Sequence, residues 1–365
     1  MIGFCGLHSI GTMNALSQRR GRRFSLSPAE GERAGVRGPL LANALRGSGK
    51  GVMASVFRFT ISAALASFLM GAALAKDEPP SKIILDTDIG GDIDDAWALG
   101  FVLNYAGFDP VGVTICDGNT PARANIACKL LHVTGHTNIP VAVGRKTRDD
   151  FSPQFSWAED FTALKPIAQP AADFIVEKAR KYPGEITLIA IGPLQNVADA
   201  LRKEPGLGKS LKRAVFMSGC VYHPAGQTNP VPEWNVVAAT KDAQLVYGAG
   251  LPLTIVPLDS TTLVQLKTDE RERVRKRDSP LTSSLECLYR LWLESPDSRM
   301  TLHDQLAVAE TATPGAFFGQ RPVLHIYVDD RGFTRIDEQK GKPVTVCLQP
   351  RRDAFMDYYV GVLTH

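Results

Sequence analysis

Between Ile83 and Ala122 the chain has no lysine and no arginine, although the 365-residue sequence holds 41 of them. The same stretch packs Asp86, Asp88, Asp92, Asp94 and Asp95 into "DTDIGGDIDD". Carboxylates this close raise one another's pKa unless a counter-charge joins them, so an ordinary solvated turn accounts poorly for the cluster. Cysteine is sparse too. Five follow residue 75 (Cys116, Cys128, Cys220, Cys287, Cys347), widely spaced and without a C-x-x-C pair, which implies neither a disulfide framework nor a thiolate zinc site. They read as buried apolar residues, with one bridge open to an exported chain.

The first quarter lacks a sustained apolar period. Residues 1–52 are rich in Arg, Gly and Ser, a composition that cannot bury a core; we expect them to be disordered or absent from the native protein, with translation starting at Met53. Residues 53–75 carry one basic residue, an apolar run and then Ala73-Leu74-Ala75, the layout of a cleaved signal peptide. The expectation is an exported protein, periplasmic or secreted. An anchoring helix is the competing reading, since the run from Phe59 to Ala75 reaches the lower limit for a bilayer span. Residues 1–75 hold 9 of the 41 basic residues and 2 of the 38 acidic ones. The remainder is therefore acidic, and nothing in it suggests nucleic-acid binding.

Residues 76–365 show no internal repeat and no linker, and read as one domain. Strand-length apolar runs alternate with helical patterns: "KIILD" with "DDAWALGFVLNY", "PVGVTICDGN" with "ARANIACKLLHVTG", "IPVAVG" with "ADFIVEKARKYP", and "ITLIAIGP" with "LQNVADALRKEP"; "RAVFMSG", "AQLVYGAG" and "LPLTIVPLD" follow. Strands apolar on both faces argue for an α/β fold with an open, mostly parallel sheet flanked by helices. Near the end, "VLHIYVDDRGFTRID" and "PVTVCLQP" read as antiparallel strands joined by an Asp-Arg-Gly turn, which makes the sheet mixed. Open parallel sheets bind ligands beyond the carboxyl ends of their strands, where Asp86, Asp88, Asp117, Asn119 and Asp259 fall.

A hard divalent cation would resolve the charge crowding, because Ca²⁺ and Mg²⁺ take oxygen ligands. An EF-hand is a poor fit, with Trp97 twelfth from Asp86 and a strand ahead of the loop. A haloacid dehalogenase-type phosphatase also opens on a strand and D-x-D, but wants Thr or Val where Gly90 stands.

"ILDTDIGGDIDDAWAL" resembles instead the D-x-D-x-G-x-D-D-A-x-A signature of the inosine-uridine-preferring nucleoside hydrolases, with two extra residues that move the acid pair to Asp94 and Asp95 and leave Asp92 as an addition. The resemblance continues through "GVTICDGN", "ITLIAIGPLQNVADAL", "GQTNPVPEWNVVAATKDAQLV" and "TLHDQLAVA". It implies a Rossmann-like nucleoside hydrolase fold and Ca²⁺-dependent cleavage of a ribonucleoside to ribose and base. By resemblance, Asp88, Asp95, Asp304 and the Ile191 carbonyl hold Ca²⁺, and Asp88 also takes a proton from the attacking water. Asp94, Asn119, Glu233 and Asn235 hold the ribose. Gln227 stands where the family has a ribose-contacting Asn, a contact nearby Asn229 could supply. His303 acts near the leaving group, and Asp86 supports the turn.

The base pocket departs from the family, which often has His-Gly in the region of residues 145–165. Trp157, Phe155 or Phe161 could stack on a base or belong to the core, and Trp234 reads as a packing residue. The expected partner is a small nucleoside, and the expected assembly a homo-oligomer, dimer or tetramer. Two other readings stay open: a hydrolase for another N-ribosyl or glycosyl compound, and a non-catalytic nucleoside or sugar binder on the same fold.

Overall fold

The chain enters its sheet at strand β1 (Ser81–Thr87), whose Ile83 and Leu85 point to one face and Ile84 to the other. All three are essentially inaccessible, as a strand covered by helices on both sides requires. The computed structural model describes residues 79–293 and 298–365; the expectations for the leader, signal peptide and cleavage site lie outside the described residues.

Helix Asp94–Asn104 leads to β2 (Phe108–Ile115), helix Thr120–Val133 to β3 (Val141–Val143), and helix Ala171–Lys181 to β4 (Ile186–Ala190). Helix Gln195–Lys203 then precedes β5 (Leu211–Met217), and helix Thr240–Gly248 precedes β6 (Leu253–Val256). These strands pair in parallel in the order β3-β2-β1-β4-β5-β6. Non-consecutive neighbours β1 and β4 mark the switch in winding direction, the place where such sheets open a crevice.

The carboxyl-terminal strands extend the same sheet. A short ribbon joins β7 (Phe318–Gln320) to a final strand, β11 (Leu348–Pro350); between them lie β8 (Val323–Val328), β9 (Thr334–Ile336) and β10 (Lys342–Val346). The β8 and β9 strands are antiparallel, and Asp329 accepts hydrogen bonds from the amides of Arg331 and Phe333 in the turn between them. Strand β10 is antiparallel to β8 but parallel to β6, which completes a nine-stranded mixed sheet. From β9, the Thr334 hydroxyl accepts from the Cys220 amide (3.0 Å) and donates to the Cys220 carbonyl (2.7 Å), tying this edge to the loop after β5.

Helices Thr268–Lys276, Pro280–Trp292 and Arg352–Thr364 were not expected from the sequence. The last packs on Asp94–Asn104, with the Phe101 and Tyr359 rings 5.4 Å apart. Four of the five described cysteines are buried and unbridged, as expected; Cys287 is exposed.

Candidate active site

After β1 the backbone turns through Gly90, whose φ of +95° and contact with Ile126, 2.7 Å from where a Cβ would stand, leave room only for glycine. The turn delivers Asp94 and Asp95 to the first turn of helix Asp94–Asn104, where the positive end of the helix dipole favours acids. Asp304 occupies the first turn of helix His303–Ala312. The Gln305 amide donates to the Asp94 carbonyl at 2.7 Å and holds the two helix starts together.

Asp94, Asp95 and Asp304 are each 3% exposed, and an oxygen of each lies within 4.8 Å of the others. Burial, followed by repulsion from neighbouring aspartates, pushes all three well above the ordinary carboxylate range. Asp88 lines the same cavity; burial raises it to about 6 against the pull of Arg123. A set of buried, mutually repelling carboxylate oxygens fits a hard divalent cation and not a thiolate-seeking metal. Asp94, expected at the sugar, stands close to Asp95 and Asp304, two of the expected ligands, because it shares their pair of helix starts. Asp88 and Ile191 line the cavity beside them.

The opposite wall comes from the loop after β5. Glu233 caps the short helix Trp234–Val237, accepting from the Asn235 amide (2.7 Å) and from Gly219 (2.9 Å), and burial raises it to about 7. Asn235 spends its side-chain NH₂ on the carbonyls of Ile191 (2.9 Å) and Met217 (3.1 Å), leaving Oδ1 as the acceptor it can offer a hydroxyl. His303 lies 2.7 Å from the Thr261 hydroxyl through Nδ1, and burial lowers it to about 4. It is therefore neutral near pH 7. The cavity these residues line measures about 460 Å³, within the usual range for a small-molecule site.

Several expected residues are not brought into that cavity. Asn119 is half-buried at the start of helix Thr120–Val133, and its backbone amide donates to Asp150. Gln227 and Asn229 are exposed in the loop. Asp259 is consumed by structure: its carboxylate accepts from the amides of Val221, Tyr222 and His223. Asp86 is fully buried, accepting from Thr114 and Asn196, which agrees with a supporting position. Asp92 is exposed at the cavity edge. Of the three aromatics left open between the base and the core, Trp157 lies beneath the Lys129 ammonium, Phe161 packs on His132 and Phe155 closes on Gly90; all three pack against the core and none lines the cavity.

Sequence reasoning missed Arg123, Arg148, Asp150 and Trp234, which do line it. Arg123 is buried, donating to the Asp88 carbonyl and to Asp150. Arg148 makes a two-pronged bond to Asp117 (2.8 and 2.6 Å). The position of Trp234 between Glu233 and Asn235 was the one signal that could have placed it.

A family profile described as inosine-uridine preferring nucleoside hydrolase matches residues 83–357. The chain is 31% identical over 276 residues to a probable uridine nucleosidase 2 of Arabidopsis thaliana, covering 70% of this chain and 84% of that protein. It is 29% identical over 307 residues to the pyrimidine-specific ribonucleoside hydrolase RihA of a Shewanella species, covering 77% and 95%. Its fold superposes on a plant nucleoside hydrolase, PpNRh1, with a TM-score of 0.70 at 25% identity, over 78% of this chain and 99% of that one. With that match spanning the sheet and every wall of the acid-lined cavity, the chain belongs to the inosine-uridine preferring nucleoside hydrolase family.

Proposed function

We propose that this N-glycosidase, which as a member of its family hydrolyses ribonucleosides to ribose and free base, takes pyrimidine ribonucleosides as its first substrates and uses Ca²⁺. The observation that carries the reading is the buried Asp94, Asp95 and Asp304 trio sharing one cavity with Glu233, Asn235 and His303. The pyrimidine preference rests on relatives named uridine nucleosidase and pyrimidine-specific hydrolase.

Asp94, Asp95 and Asp304 would hold the cation, with Asp88 and the Ile191 carbonyl at its side. When bound, it neutralises the acids and increases the acidity of an attacking water. Asp88, on the cavity wall beside the trio, accepts the attacking water's proton as the oxygen reaches C1′. Glu233 and the Asn235 oxygen accept from ribose hydroxyls, and their negative potential favours the oxocarbenium character that develops on the sugar. Neutral His303, fixed by Thr261, can donate one hydrogen bond toward the departing base. Export through residues 53–75 and assembly as a dimer or tetramer belong to the same proposal, tested by amino-terminal sequencing of the native protein and by light scattering.

The decisive experiment incubates purified protein with uridine, cytidine, inosine, adenosine and a phosphomonoester, with and without chelator, and measures reducing sugar and phosphate. Ribose release that is lost to chelator and restored by Ca²⁺ is expected. Tight nucleoside binding without turnover would sink the enzymatic reading.

A further inference from the structure

Among the cavity residues that take no part in these steps are an arginine and a tryptophan. Arg148 and Trp234 come from different loops, yet the guanidinium carbon lies 5.7 Å from the centre of the indole ring. Trp234 is 55% exposed, an unusual cost for so large an apolar surface, and it stands between Glu233 and Asn235. Arg148 is held from behind by Asp117, which is 1% exposed and kept in a left-handed conformation with φ of 55°. The planar fork is thereby fixed in direction.

Charge narrows what such a pair can bind. Arg123 and Arg148 face Asp150 and Asp117, two cations against two acids, so a permanent anion gains little net attraction here. A guanidinium has five N–H donors and gives up none of its protons near neutrality; Asp117 takes two. What gains is a flat neutral ring bearing an oxygen that becomes negative during the reaction. We propose, resting on the nucleoside hydrolase reading, that Arg148 and Trp234 form the nucleobase subsite: Trp234 stacks on the ring and Arg148 donates to the exocyclic oxygen beside the glycosidic nitrogen of an oxo-pyrimidine. As the C1′–N1 bond breaks, its electron pair stays on the base and spreads to that oxygen, where the guanidinium meets it. The water oxygen bonds to C1′, its proton goes to Asp88, and the free base takes a proton from solvent.

The test compares uridine with 4-nitrophenyl β-D-ribofuranoside, whose leaving group departs as a stable anion without help. Arg148→Gln lowers kcat/KM on uridine about 100-fold, as expected for removing one donor to a developing anion, and on the nitrophenyl riboside by less than about 10-fold. Arg148→Lys keeps the charge beside Asp117 and shows the same selectivity with a smaller loss, which covers the case in which the glutamine variant does not fold. Trp234→Leu raises KM for uridine more than it lowers kcat. Equal losses on both substrates, or none on uridine, would overturn the proposal while leaving the parent reading intact. A wild-type protein inactive on both overturns the parent reading, and this one with it.

Discussion

The side-chain amide of Asn235 donates to the carbonyl of Ile191 at 2.9 Å, joining the loop after β5 to the end of β4. The bond fixes the direction of the carbonyl of Ile191, a residue that lines the cavity with the acid trio. Asn235→Asp places a carboxylate oxygen against that carbonyl where a donor stood. Partners that orient metal ligands change affinity by about 10- to 100-fold when altered, and we expect a loss of that size in Ca²⁺ affinity by calorimetry. Undiminished affinity would show that Ile191 needs no such support.

Asp86 ties stability to pH in an unusual sense. Burial pushes its carboxyl up to about 7, whereas in the unfolded chain it titrates near 3.9. Between about pH 4 and pH 7 the native state retains a proton that the unfolded state has lost, so this group's contribution is complete at the acidic end and falls as pH rises. Asp86→Asn cannot ionise. In chelator, its melting temperature relative to wild type should climb by several degrees from pH 4 to pH 8 and then level off; a flat difference would contradict the assignment.

His303, lowered to about 4 by burial, is neutral throughout the working range. No break in the pH profile of kcat/KM should therefore vanish when His303 is replaced by Gln. His303→Gln, which keeps a neutral donor, should retain at least about 10-fold more activity than His303→Ala, since a donor aimed at developing charge is worth up to about 10²–10³-fold. Equal activities would remove His303 from the leaving-group side.

Gly192 follows Ile191, and a Cβ there would stand 2.6 Å from an Asp88 carboxylate oxygen and 2.7 Å from the Cys116 sulfur. Gly192→Ala therefore displaces Asp88. Overpacking of this kind costs about 1–3 kcal/mol, so the variant should fold with a reduced melting temperature and lose more than about 10-fold in kcat.

The acid cluster was legible because its members are neighbours in sequence and follow an apolar strand; only Asp304 comes from far away, and the H-D motif marked it. The strand-end rule also selected Asp117 and Asp259, and there it stopped, because it locates polar residues along a strand without saying what they bond. Asp259 serves three backbone amides, and Asp117 serves Arg148. Arg148 and Trp234 lie 86 positions apart in irregular loops, so no period or spacing could bring them together. Helix Arg352–Thr364, rich in aromatic and β-branched residues, is decided by packing against Phe101 more than by local preference.

Thr334 carries a consequence for the boundaries of the chain. Every acid proposed for the reaction, and His303, precede Ala312. A fragment ending there would possess the full chemical inventory and still have an unsupported wall, because the loop that presents Glu233 is laced to β9 through Cys220. The 53 residues after Ala312 are a buttress: they hold no reagent, and they set the width of the room in which the reagents meet.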